Sequence, residues 1–470
     1  MGSFATPNST FTEEEEDEMT SRRRFLKVLS GSAVAALTGL PPLRSLADIG
    51  KTNEGEFFVF IHASGGWDVT LWADPRNEMR GIVHPASTEN TDKGQVRLWT
   101  DAPLDGTNKT FELIRPKGSS LVFGPGIGAL AEMPDRITVV NGLAMNTVAH
   151  PDGATFSATG RHPQGGRVAA SSIDTMLSNE LGKEQLLPTV SLRFPSAFVG
   201  GNLDRRAVPL AVDDVGSVGR TLFRAQLFDN NAERDKVTAL LSDEAGDLAK
   251  HSTYPGVLEG LDLQYQSLRR MLGSNLQEVF TTNGLKQLHP ELNYKARFGG
   301  GPAVNAAFAI EAMKRNIVRC VSFTFGSFDT HGNNYRAHAQ NQQELFDMIA
   351  ALVKKLDETP HPTAAGKKLS DHTHIMVISE FCRTPQINLA MGRDHYPNNS
   401  ALVVSPRFKT NFAFGKTDVE QLLPMPAKRF IDGDRAIAPP DLLATLLGAF
   451  DIDPRKYMRD GEIVKELLKA

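Results

Sequence analysis

Apolar positions along this chain fall into short continuous runs separated by longer amphipathic stretches. Val318 to Phe325 (VRCVSFTF) is short, apolar and β-rich, as a strand covered on both faces should be. From about Tyr335 to Leu356, the residues Leu345, Met348, Ile349, Leu352, Val353 and Leu356 recur at steps of three and four, the stripe of an amphipathic helix. His374 to Ser379 (HIMVIS) is a second short apolar run. A strand, a crossover helix and a second strand predict parallel pairing with a right-handed connection. Ligands of open parallel sheets sit in the crevice beyond the carboxyl ends of the strands. Asp329, His331 and Glu380 all follow these two runs, so the pattern gathers them at one edge.

The rest of the chain supplies further strands and helices. Glu56 to His62 (EFFVFIH) and Arg136 to Asn141 (RITVVN) predict strands, Ala401 to Val404 a short one, and residues 188–222 strand pieces. Helices are predicted near Ala154 to Thr159 and over Ser171 to Leu181, Pro302 to Arg315, Pro440 to Phe450 and Glu462 to Leu468. Residues 229–285 are polar with a helical period, while residues 75–125 are rich in Pro, Gly, Asn and Asp and read as an irregular excursion. Together these predict one α/β domain over residues 48–470. It has a mostly parallel central sheet, helices on both faces and a helical insertion at about 225–300.

Composition and charge narrow the function. With 40% apolar and 23% charged residues, the 470-residue chain is an ordinary globular protein. Its net charge of −4 offers no electrostatic case for nucleic acid, and no Lys/Arg-rich run appears outside the N-terminus. There, Ser21-Arg22-Arg23-Arg24-Phe25-Leu26-Lys27 matches the twin-arginine export pattern, followed by an apolar stretch from Val28 to Leu40 and small residues at Ser45-Leu46-Ala47. That stretch is too short for a stable membrane span of roughly 20 residues and suits a removable signal. Residues 1–47 are therefore expected to be a disordered acidic tail and a signal read by the twin-arginine translocase, leaving a periplasmic or otherwise exported protein. This route carries folded proteins, often with a cofactor in place, which agrees with a metal site loaded before export. Cys320 and Cys382 are both expected to be free thiols.

Two stretches concentrate the chemistry: Asp329-Thr330-His331, and Ser379-Glu380-Phe381-Cys382-Arg383-Thr384-Pro385 running on to Gly392-Arg393-Asp394-His395. Carboxylates and imidazoles are ligands for a divalent ion, which polarises an ester oxygen and lowers the pKa of bound water. Arg383 and Arg393 flank the acids and suit a tetrahedral oxyanion through forked hydrogen bonds; for Arg383 an ion pair that orients Glu380 is the other reading. His62, at a strand end, is expected to be packed and hydrogen-bonded, and His338 lies near the start of the crossover helix.

The twin-arginine signal, Gly65-Gly66-Trp67-Asp68 after the first strand, Phe328-Asp329-Thr330-His331-Gly332-Asn333-Asn334, the Ser379–Pro385 stretch and Gly392-Arg393-Asp394-His395 together resemble a bacterial family known as domain of unknown function 1501. That family is placed in the alkaline-phosphatase-like superfamily, with sulfatases and phosphomutases, and the resemblance covers about residues 56–450. It implies metal ligands at Asp68, Asp329 and His331, with His395 and its neighbour Asp394 completing the set. Glu380 stands where the superfamily offers an Asp-His pair, without an adjoining His, so the number of ions stays open. Zinc is the first expectation, with calcium, magnesium and manganese as alternatives. The superfamily's nucleophile opens the helix after an early strand, which implies Thr147, with Thr155 and Ser157 as weaker candidates and His150 as a ligand or general acid. The sulfatase order of Cys, Pro and Arg is absent, so formylglycine chemistry is not expected. The implied function is an exported metal-dependent hydrolase of phosphate or sulfate esters, acting on a small anionic ester or an envelope polymer. The alternative is a catalytically degenerate relative that serves as an envelope binding or assembly factor.

Overall fold

All seven residues of β1 (Phe57–Ala63) are buried, which requires a strand covered on both faces. The computed structural model that shows this describes residues 55–75, 113–217 and 278–469 with gaps of one or two residues, plus short pieces near 97–100, 108–110 and 232–240. The expected export signal and most of the expected insertion at 225–300 lie outside the described residues. The chain divides into one unit of residues 1–50 with 230–272 and a second of 51–229 with 273–470, which holds everything below.

β1 is central in an eight-stranded sheet with β2 (Ile137–Ala144), β3 (Leu187–Leu192), β4 (Leu210–Val212), β5 (Val318–Phe325), β6 (Thr373–Ile378), β7 (Asn398–Val404) and β8 (Phe412–Phe414). The order is β8-β2-β7-β6-β1-β5-β3-β4. Every neighbouring pair is parallel except those of β7, which runs antiparallel to β6 and β2. The helices are α1 (His150–Thr159), α2 (Ile173–Leu181), α3 (Thr282–Leu288), α4 (Gly300–Lys314), α5 (Asn334–Glu358) and α6 (Pro439–Ala449). Phe58, Phe60, Met376, Ile378, Ala401 and Val403 face a core shared with Phe156 of α1, Met176 of α2 and Leu446 of α6. The alternate residues Val59, Ile61, Val321 and Phe323 are buried on the other face, where α4 packs on β5 and α5 on α4. This is the mostly parallel α/β architecture the periodicity predicts. Among the described residues, no helix is long and apolar enough to cross a membrane.

Three expectations are corrected. β5 and β6 run parallel but do not pair with each other: β1 lies between them, with Phe58 opposite Cys320 on one side and His374 on the other. The three-phenylalanine strand takes the middle, where neighbours cover both its faces and both its edges. The helix expected at 462–468 is only a single 3-10 turn at Lys465–Leu467, since so short a segment cannot offset helix nucleation. α1 starts at His150, four residues before the expected Ala154, because Pro151 is pre-set for a first helical turn.

α4 carries a buried carboxylate whose partners make it pH-sensitive. Glu311, 1% exposed, accepts from His289 Nε2 (3.1 Å), Lys314 Nζ (3.0 Å) and Arg315 Nε (3.1 Å). Burial pushes its pKa up, but the bonds from His289, Lys314 and Arg315 outweigh this and bring it down to about 2. The carboxylate therefore stabilises the fold above pH about 4.5 and loses that contribution as pH falls towards 2. We expect Glu311→Gln to cost about 2 kcal/mol at neutral pH, less than a fully enclosed pair because Lys314 and Arg315 reach water. Melting temperatures of the two proteins should converge between pH 4.5 and 2; a gap constant across that window would refute the assignment.

Candidate metal centre

The centre forms where β1, β5 and β6 release their chains at the carboxyl edge. β1 turns through Ser64-Gly65-Gly66. Gly65 has φ +118°, and a Cβ there would lie 2.3 Å from the Asp329 nitrogen, so only glycine lets this turn pass beside the β5 loop. Its N–H donates to Glu380 Oε1 (2.8 Å), tying the β1 turn to the β6 loop. The first turn of α1 lies on that same loop because Gly153 has no side chain; a Cβ there would meet the Glu380 carbonyl oxygen at 2.3 Å. This close approach brings His150 to Glu380.

Four donor atoms converge. Asp329 Oδ1 lies 3.1 Å from His331 Nε2, 3.4 Å from His395 Nε2 and 3.5 Å from His150 Nε2, and the His331 and His395 Nε2 atoms are 3.0 Å apart. His150, Asp329 and His395 form the one group among the described residues whose ligand atoms lie close enough to hold a metal ion. The other nitrogen of each imidazole is already engaged. His150 Nδ1 donates to Glu380 Oε1 (2.6 Å), His331 Nδ1 to Asp394 Oδ1 (2.7 Å) and His395 Nδ1 to the Val148 carbonyl (2.8 Å). Acceptors at Nδ1 favour, for a neutral imidazole, the tautomer that leaves Nε2 with a lone pair. With the imidazoles neutral, three lone pairs and a carboxylate oxygen face one another and repel unless a proton or a metal cation lies between them. His150 Nε2 is buried without a hydrogen-bond partner among the described residues, which fits that demand. Tetrahedral bonds of about 2.0–2.1 Å set neighbouring donors roughly 3.3 Å apart, close to the 3.4 Å and 3.5 Å from Asp329 Oδ1 to the Nε2 atoms of His395 and His150. The residues present therefore fit a divalent ion.

The surrounding charges strengthen the donors. The Glu380 hydrogen bond raises the His150 pKa above the ordinary imidazole value, outweighing burial, and makes Nε2 a better ligand. Burial pushes Glu380 up, yet the bonds from His150 and His62 hold it well below the usual carboxylate range. Asp329 likewise stays ionised: burial raises it, but Arg383 Nη2 (2.7 Å) brings it below its ordinary value.

The remaining candidates fall elsewhere. Glu380, 1% exposed, and Asp394 stand behind His150 and His331 and are not brought into the converging set. Asp68 is fully buried. It caps a 3-10 turn by accepting from the Thr70 N–H (3.0 Å) and hydroxyl (2.6 Å), accepts from Asn334 Nδ2 (2.7 Å), and lies 3.2 Å from Arg393 Nε. Its oxygens are thus saturated within the protein. Both arginines are buried as well. Arg383 donates to the Gly66 carbonyl (2.7 Å), the Arg393 carbonyl (3.0 Å), the Gly65 carbonyl and Asp329, so it pairs with Asp329 where Glu380 was expected. Arg393 Nη1 donates to the Thr384 and Pro385 carbonyls (both 2.7 Å). Both guanidinium groups lock the loops. The Thr147 hydroxyl accepts from the Ala149 N–H (3.2 Å), and Thr155 and Ser157 donate to carbonyls of their own helix.

His62 is buried, its Nε2 3.3 Å from Glu380 Oε2, while His338 takes the Asp68 N–H on Nε2 (2.7 Å) and is driven by burial to a pKa of about 3. Both are structural supports. Cys320 and Cys382 are buried free thiols. Sequence reasoning missed the Val148 carbonyl and Gly153. A signal for the second existed: glycine inside a helix costs roughly 0.5–1 kcal/mol relative to alanine, so it marks a close approach.

Two solved structures share a broad likeness over 85% of this chain. One is the lipoteichoic acid synthase LtaP from Listeria monocytogenes, with 8% identity, 72% of that chain covered and a TM-score of 0.32. The other is a Bacteroides thetaiotaomicron protein of a core locus for metabolism of multiple glycosaminoglycans, with 10% identity, 73% covered and a TM-score of 0.31. Likenesses of this size assign no chemistry to the present chain. No curated protein matches the sequence significantly. The sequence model described as "Protein of unknown function (DUF1501)" matches residues 58–462, nearly the whole chain after the N-terminal segment, and the chain belongs to that family.

Proposed function

We propose that this chain is a metal-dependent hydrolase of phosphate or sulfate esters, exported by the twin-arginine route, with His150, Asp329, His331 and His395 holding the ion. The observation that carries the reading is the convergence of three Nε2 lone pairs on one carboxylate oxygen, each imidazole held from behind by its own acceptor. A divalent ion held there would polarise an ester oxygen and lower the pKa of bound water. Glu380, Asp394 and the Val148 carbonyl aim the imidazoles, while Arg383 fixes the Asp329 carboxylate and joins the loops after β1, β5 and β6. The ligands are thereby set before substrate arrives, which is how electrostatic catalysis avoids reorganisation.

A second reading keeps the metal and drops the chemistry. No hydroxyl among the described residues hydrogen-bonds to any of the four donors, and both nearby arginines are committed to the loops. These observations favour either attack by water without a covalent enzyme intermediate, or a protein that binds an envelope polymer or partner without turning it over. Elemental analysis of mature protein exported by its own signal, followed by a panel of aryl phosphate and sulfate esters, separates the cases. Stoichiometric metal with turnover supports the hydrolase. Metal without turnover, together with binding to a glycan or envelope partner, supports the second reading, and protein that retains no metal ends both.

A further inference from the structure

Arg383 and Arg393 are buried in the loops, whereas Arg193 is an exposed cation beside the same edge of the sheet, and the geometry points to it as a recognition residue. We propose that Arg193 recognises a second anionic group on the substrate, away from the reacting ester, so that the preferred substrates are bis-anionic esters. This rests on the hydrolase reading and names its substrate class.

Arg193 directly follows β3, whose last residue Leu192 pairs with Phe323 of β5, the strand that leads to Asp329. Its neighbour Phe194 lays its ring 4.5 Å from that of Phe60 and 6.1 Å from that of His62, and His62 Nε2 lies 3.3 Å from Glu380. The turn at Arg193 therefore packs on the same support that holds His150. The residue is exposed and makes no ion pair among the described residues. Its backbone is in the left-handed region, φ +53°, pinned by its N–H to the Val212 carbonyl (3.1 Å) and by the Thr324 hydroxyl to its own carbonyl (2.6 Å). Ser327, two residues past the end of β5 and two before Asp329, is also left-handed, φ +78°. A turn that merely needs this conformation is best served by glycine. An arginine held there against its backbone preference indicates use of the side chain, and strained residues gather at functional sites. The guanidinium fork suits a phosphate or sulfate group.

The test is calorimetric binding of glucose 1,6-bisphosphate and glucose 6-phosphate to metal-loaded mature protein, which requires no turnover. The parent should prefer the bisphosphate, and Arg193→Ala should reduce that preference about tenfold, the effect of one charge-assisted contact. The preference should also weaken with added salt. Arg193→Lys should retain part of it, and Arg193→Gly should lose it while melting no lower than the parent, because glycine relieves the left-handed backbone. A parent without preference, or an Arg193→Ala variant with the preference intact, overturns the proposal. A preference that depends on Arg193 in a protein that hydrolyses no ester would refute the hydrolase and leave this recognition site standing.

Discussion

Replacing Asp329 by alanine is expected to strip the ion from the protein and to lower ester turnover by at least about 10³-fold, as loss of a metal's charge stabilisation implies. Asp329 Oδ1 is the common point of the centre, within 3.5 Å of the Nε2 atoms of His150, His331 and His395. Without it the three imidazoles lose the one anionic donor among them. The fold should survive, because the Asp329 side chain is half exposed and Arg383 keeps its bonds to the Gly65, Gly66 and Arg393 carbonyls. Metal-to-protein ratios after dialysis should fall from about one to below roughly a tenth, with an unchanged far-ultraviolet spectrum. Asp329→Asn should lie between the two, since its amide oxygen can still accept from Arg383 but carries no charge. An alanine variant that keeps its full complement of metal would place the ion elsewhere and remove the basis for the hydrolase reading.

What the sequence reveals of this centre is its location more than its assignment. Apolar runs ending just before Gly65, Asp329 and Glu380 were enough to gather those loops, because burial on both faces leaves a strand few other patterns. The position of β1 between β5 and β6 was not legible, since pairing across 260 residues or more leaves no trace in local periodicity. Which carboxylates reach the converging set is illegible for a related reason. Glu380 and Asp329 look alike as carboxylates after strands, yet the Gly65 N–H and His62 draw Glu380 inward and leave Asp329 half exposed. Asp68 held a local clue: Thr70 two residues on offers its N–H and hydroxyl, the pattern of an aspartate that caps a turn. Arg383 and Arg393 suggest oxyanion binding in the sequence, with an ion pair as the other reading for Arg383, because charge is visible there, whereas the carbonyls that take up their donors are not.

Glu380→Gln separates the two duties of the buried carboxylate. Glu380 accepts from the Gly65 N–H, His150 Nδ1 and the Ser379 hydroxyl, with His62 Nε2 3.3 Å away. The amide preserves the shape and one acceptor oxygen, but it removes the charge that makes His150 basic and turns an NH2 group towards Ser379 and His62. Loss of the carboxylate behind a ligating histidine weakens metal binding by about 10–100-fold, so the dissociation constant should rise by that factor while stoichiometry at saturating metal stays the same. In metal-free protein the same substitution should still cost about 2 kcal/mol, since a buried charge network loses its anion. Measuring both quantities distinguishes the roles: a ligand acting directly on the ion would forfeit stoichiometric binding, whereas a purely architectural carboxylate would leave the affinity untouched. The expected pair, weaker binding at full stoichiometry together with a stability loss that persists without metal, belongs to a residue that orients His150 and joins the β1 turn to the β6 loop.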